Sequence, residues 1–161
     1  MLFAVPADNN QQAFGRENPG RNTSHMLPMI WTTDHSVNVK ILDDDHKKVF
    51  AMINELDETI MAGHSKEVLE AVLGRLMEYT MVHLAREEEF FAHTGYAEAI
   101  AHKKEHSRMI KRVQDIQGRF KDGSVAMLSL ELRSFLQDWW ITHIQRSDKL
   151  YGPYLNAHGI F

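Results

Sequence analysis

The chain has 161 residues, the size of one domain, and its net charge of −4 is too mild for an acidic tail and of the wrong sign for a general nucleic-acid binder. Apolar residues make up 43%, enough for a buried core, and the absence of cysteine excludes disulfides, zinc ribbons, iron–sulfur clusters and thiol chemistry. No apolar run is long enough to span a bilayer and the start, MLFAVPADNN, has no positive n-region, so no membrane segment and a cytoplasmic location are expected.

Residues 1–28 mix turn formers with polar residues and show no sustained period, which reads as an N-terminal extension ahead of a single bundle over 29–161. Met26 and Met29 are alternative starts. Asp43-Asp44-Asp45 then supplies an N-cap and first-turn negative charge for a helix to about Ala62. Its inward face is His46, Val49, Phe50, Ile53, Leu56 and Ile60. Gly63 and His64 break it, and Ser65 caps a second helix to about Ala92. Val68, Val72, Leu76, Tyr79, His83, Glu87 and Phe90 form its stripe, and Gly95 ends the run. The third helix, about 97–121, aligns Ala99, His102, His106, Met109, Val113, Ile116 and Phe120. Asp122-Gly123-Ser124 makes the next turn. The fourth helix carries Leu128, Leu132, Phe135, Leu136, Trp139, His143 and Ile144 and runs to about Tyr151, where Gly152-Pro153 stops it. Four long helices with short loops and no strand signal predict an all-α, up-down-up-down four-helix bundle.

Polar residues on the inner faces make this more than a bundle. His46, His83, Glu87, His102, His106, His143 and Asp148 fall on or beside the inward stripes. His83/Glu87 and His102/His106 are spaced by four, which puts each pair on one helical face. Asp148 follows His143 by five, roughly 140° away on an ideal helix, so it needs either a widened turn or a reach from the flank. In an up-down bundle all seven lie within roughly 5–14 Å of the same end at ~1.5 Å per residue. A lone buried histidine is an ordinary core residue, but seven such groups at one level without a cation would be desolvated at severe cost. The seven are therefore candidate metal ligands. His25, His35, His64, His93 and His158 fall in tails, loops or off the stripe and read as surface residues, and Glu88-Glu89 reads as a solvated face.

Five imidazoles and two carboxylates exceed the needs of one ion and suit two, with iron or manganese ahead of copper or zinc. Two six-coordinate ions offer twelve positions. The histidines fill five, two bridging carboxylates four, and a bridging oxo or hydroxo two. One position stays open, on the ion with two histidines, which suits end-on capture of a small diatomic molecule. Only two anionic protein ligands favour reversible binding over oxygen activation.

The segments Leu42-Asp43-Asp44-Asp45-His46-Lys47, His83-x-x-x-Glu87, Gly95-Tyr96, His102-x-x-x-His106 and Trp139-x-x-x-His143-Ile144-x-x-x-Asp148-x-x-Tyr151 resemble the hemerythrin family, in its bacterial single-domain branch. Trp31-x-x-x-His35-Ser36-Val37 resembles that branch's entry to the first helix. The resemblance implies a non-haem di-iron centre bridged by oxo or hydroxo and two carboxylates, and reversible binding of dioxygen for storage, delivery or supply. It implies His102, His106 and His143 on one iron, His46 and His83 on the other, and Glu87 and Asp148 as bridges. It places the oxygen pocket at Val49, Phe50, Leu84, Met109, Trp139, Trp140 and Ile144, with no catalytic residue. Alternative functions are a di-iron oxidase or peroxidase, a scavenger of nitric oxide or peroxide, and a sensor acting through a separate, unidentified protein partner. Bacterial relatives usually carry leucine at the position of Trp140, so its indole either narrows the pocket, aims its N–H at the ligand, rotates outward, or merely packs between helices.

Overall fold

The computed structural model describes residues 27–119 and 125–161. The extension up to residue 26, His25, Phe120, the turn at 122–124 and the side chain of Leu128 lie outside the described residues. The helices are α1 (Lys40–Met61), α2 (Lys66–Thr94), α3 (Ala99–Arg119), α4 (Val125–His143) and α5 (Lys149–Ala157), preceded by a 3-10 turn at Thr33–His35. α1 to α4 form the up-down-up-down bundle that the apolar periodicity predicts. No helix among the described residues is long and apolar enough to cross a membrane.

The aspartate run does not cap α1. The helix begins at Lys40, and Asp43 sits inside its first turn. From there Asp43 accepts the Val37 N–H (2.8 Å) and the Ser36 hydroxyl (2.5 Å), tying down the incoming chain. That chain already packs on the bundle further upstream. Asn54 exchanges two hydrogen bonds with the Met29 backbone (2.8 and 2.9 Å), and Gln137 Nε2 donates to the Leu27 carbonyl (2.8 Å). α2 starts after Ser65 and ends at Gly95, whose φ of 73° supplies the left-handed residue that closes a helix.

The main core lies among all four helices of the bundle and is built from Val49, Ile53, Leu56, Leu76, Met109, Val113, Ile116, Leu136 and Trp140, among others. On α2 the inward stripe is shifted by one residue at both ends. Leu69 and Phe91 are buried, whereas Val68 is exposed and Phe90 only half-buried. On α4 the deepest indole is Trp140, and Trp139 is half-buried.

Gly152-Pro153 does not end the fourth rod. α4 passes into a π turn at Ile144–Asp148, where the Lys149 N–H donates to the Ile144 carbonyl five residues back, and α5 continues to Ala157. Pro153 lies inside α5, where it has no N–H to offer the Lys149 carbonyl, yet the helix continues past it. Val37, Val39, Leu42, Phe91, Tyr151 and Leu155 form a second apolar cluster around α5. Gly152 is essential to that approach, because a Cβ there would lie 2.3 Å from the Val37 carbonyl oxygen. Gly152→Ala should therefore cost about 1–3 kcal/mol of stability through a forced backbone shift. Thermal unfolding checks this, and an unchanged melting temperature would contradict the close packing.

Candidate metal centre

The π turn decides where Asp148 goes. Five residues complete roughly one turn of such a helix, so Asp148 comes under His143 on the inner face, and the widened turn is realised rather than a reach from the flank. All seven sequence-predicted residues are brought together and buried: His46, His83, Glu87 and Asp148 have no exposed surface, and His102, His106 and His143 have almost none.

The nitrogens and oxygens divide into two groups that share Glu87. One comprises Glu87, His102, His106 and His143, the other His46, His83 and Glu87. Glu87 turns Oε1 towards His83 Nε2 (3.3 Å) and His46 Nε2 (4.0 Å), and Oε2 towards His106 Nε2 (3.2 Å) and His102 Nε2 (3.4 Å). Asp148 repeats the division, with Oδ2 at 3.3 Å from His46 Nε2 and Oδ1 at 3.1 and 3.4 Å from the Nε2 atoms of His143 and His102.

Three carboxylates that the sequence reading did not assign to the site stand behind the imidazoles. Glu105 Oε2 accepts from His143 Nδ1 (2.8 Å) and from the Ser147 hydroxyl (2.7 Å). Glu88 Oε1 lies 3.3 Å from His106 Nδ1, so Glu88 is not simply a solvated face. Asp45 Oδ2 lies 3.5 Å from His83 Nδ1, and Asp45 is itself held by Arg86 and the Tyr79 hydroxyl (2.6 Å). A carboxylate on Nδ1 draws the ring proton there and leaves the Nε2 lone pair pointing inward, the tautomer a metal ligand needs. The signal that could have found Asp45 is its spacing: it lies four residues before Val49 on the α2-facing side of α1.

Without a cation the interior is badly satisfied. His106 Nε2 and His143 Nε2 face each other at 3.1 Å, although carboxylates sit on both Nδ1 atoms. Both ring nitrogens of His46 and His83 and both oxygens of Asp148 are buried without a hydrogen bond. Buried polar atoms are almost always paired, so a cluster of orphans aimed at common points fits missing cations. Burial alone would raise the Glu87 carboxyl, but the His83 charge and the close imidazoles of His102 and His106 hold it well below the usual carboxylate range. Burial pushes the His143 imidazole down, favouring the neutral ring. Burial and the nearby Asp148 and Glu87 charges push the Tyr151 phenol well up, so it remains a donor, and its hydroxyl binds Glu87 Oε1 at 2.5 Å.

The surroundings are apolar and aromatic. Val49, Phe50, Leu84, Met109, Trp140 and Ile144 are buried in the adjoining core. Trp140 is fully buried, with ring centroids 5.5 Å from His83 and 6.0 Å from His46, so it does not rotate outward. Its Nε1 has no hydrogen-bond partner. Trp139 stands on the other side, stacked on His143 at 4.2 Å and 19°. Of the histidines left outside the site, His64, His93 and His158 are exposed, but His35 is half-buried against Trp31 and Phe50.

Residues 37–155 match the model of the hemerythrin HHE cation-binding domain. The chain belongs to the hemerythrin family. It is 37% identical over 133 residues to the bacteriohemerythrin of Methylococcus capsulatus, covering 82% of this chain and all of that one. It is 32% identical over 133 residues to the bacteriohemerythrin of Stenotrophomonas maltophilia, with 83% and 85% covered. A hemerythrin-like protein of Naegleria gruberi is 30% identical over 124 residues, with 77% and 91% covered. Among solved structures, wild-type hemerythrin superposes with a TM-score of 0.71 at 34% identity, over 79% of this chain and 97% of the other. Hemerythrin membership agrees with the helical bundle and with the cation-shaped cluster at one end of it.

Proposed function

We propose that this hemerythrin-family chain binds dioxygen reversibly at a pair of non-haem irons and serves as a cytoplasmic oxygen store or carrier, with 29–161 as its functional unit. The observation that carries this reading is the way Glu87 and Asp148 each direct one oxygen to a group containing three imidazoles and the other to a group containing two. In this reading His102, His106 and His143 hold one iron, His46 and His83 hold the other, and the two carboxylates bridge. Five imidazoles and the two shared carboxylates would hold such a pair and would leave room for one small ligand beside His46 and His83. When bound, the iron pair supplies the two electrons that reversible capture of dioxygen requires.

The protein's own part is to orient, exclude water and hold protons in place. Glu88 and Glu105 fix two imidazole tautomers and Asp45 stands 3.5 Å behind a third, and outer partners of this kind change metal affinity about 10–100-fold when removed. Tyr151 keeps its proton and steadies Glu87. Trp140, Val49, Phe50 and Ile144 keep the open side dry. An apolar wall of this kind supports binding over turnover, since acid–base catalysis needs a titratable group within reach of the ligand.

An optical spectrum of anaerobic ferrous protein, taken before and after air and again under argon, tests the proposal. The expected result is a new absorption in air that disappears under argon over repeated cycles. Steady consumption of a reductant, with no persistent oxygenated spectrum, would instead make the protein an oxidase.

A further inference from the structure

Every arginine among the described residues is engaged by a carboxylate except two. Arg75 pairs with Glu55, Arg86 with Asp45, Arg112 and Arg119 with Glu131, and Arg133 with Asp57. Arg108 on α3 and Arg146 in the π turn have no partner among the described residues, and both line the same cleft between α3 and the α4 rod. That cleft has a volume of about 470 Å³, within the usual range for small-molecule sites. Half-buried Phe135 and Trp139 form its aromatic wall. The one carboxylate in the lining, Glu105, has Oε2 committed to His143 and Ser147.

Unpaired guanidinium forks suit the oxygens of a phosphate or carboxylate, and an aromatic wall suits the face of a flat ring. We propose that this cleft binds a planar aromatic molecule bearing a phosphate or carboxylate, with the anion on Arg108 and Arg146 and the ring against Trp139 and Phe135. Because Trp139 stacks on His143, the bound ring lies one indole away from the ligand cluster. The site itself does not depend on the proposed oxygen chemistry.

Isothermal titration of the full chain, both metal-free and iron-loaded, tests the proposal with three probes: flavin mononucleotide, riboflavin and inorganic phosphate. Flavin mononucleotide should bind saturably in both forms, with riboflavin and phosphate each at least about tenfold weaker, because each lacks one half of the recognition. The double substitution Arg108→Ala and Arg146→Ala should weaken flavin mononucleotide at least about tenfold while leaving metal content and melting temperature unchanged. Absence of saturable binding by flavin mononucleotide, equal affinity for phosphate alone, or unaltered binding in the double variant would each overturn the proposal. Loss of oxygen binding with flavin mononucleotide binding intact would count against the function proposed above and not against this site.

Discussion

Replacing Glu87 by alanine should abolish stable loading of the metal centre. Glu87 is the one side chain common to both groups of ligand atoms, and its two oxygens face four of the five imidazoles. Without it, neither group keeps an anionic donor from α2, and the Tyr151 hydroxyl loses its acceptor. The metal-free fold is a different matter. Removing a buried carboxylate also removes its desolvation cost, so the apo variant should unfold within about 1–3 kcal/mol of the apo wild type. The expected signature is loss of the rise in melting temperature that iron gives the wild type, since a ligand stabilises only the state that binds it. Full iron content with an unchanged metal-dependent rise would remove Glu87 from the centre.

Trp140→Leu should open the two-histidine side of the site without altering iron content. The indole is sealed in the core against His46 and His83, and its N–H is orphaned. Leucine leaves a space and removes the unpaired donor. The cavity destabilises and the lost donor partly offsets it, so the net cost should stay near the lower end of the ~3–5 kcal/mol seen when an aromatic core residue is cut to alanine. Oxygen association should accelerate, and a barrier lowered by about 1.4 kcal/mol gives a tenfold effect. Stopped-flow mixing of ferrous protein with oxygen, together with the autoxidation time, measures this. Rates equal to wild type would show that Trp140 only packs between helices.

How much the sequence discloses depends on how local the signal is. The seven cluster residues are legible because two i,i+4 pairs and one depth argument converge. The five-residue step from His143 to Asp148 leaves a widened turn and a reach from the flank both open, and only the folded chain, with its π turn, chooses between them. Gly152-Pro153 misleads because the stop rule is local. Pro153 lies inside α5 without ending it, and Gly152 is needed for contact with Val37, 115 positions earlier in the chain. On α2 the apolar band is broad, so spacing alone does not choose Leu69 over Val68, and packing against α1 makes the choice. Asp45 is signalled by its spacing from Val49, whereas Glu88 and Glu105 are charged residues next to charged or ligating neighbours, and only the tertiary arrangement shows that they face imidazoles.

Iron content per folded chain is the most direct test of the two-group arrangement. Full-length protein reconstituted anaerobically with ferrous iron, freed of loose metal and assayed against protein concentration, should hold two irons per chain. A single tightly bound ion in fully loaded protein would contradict it.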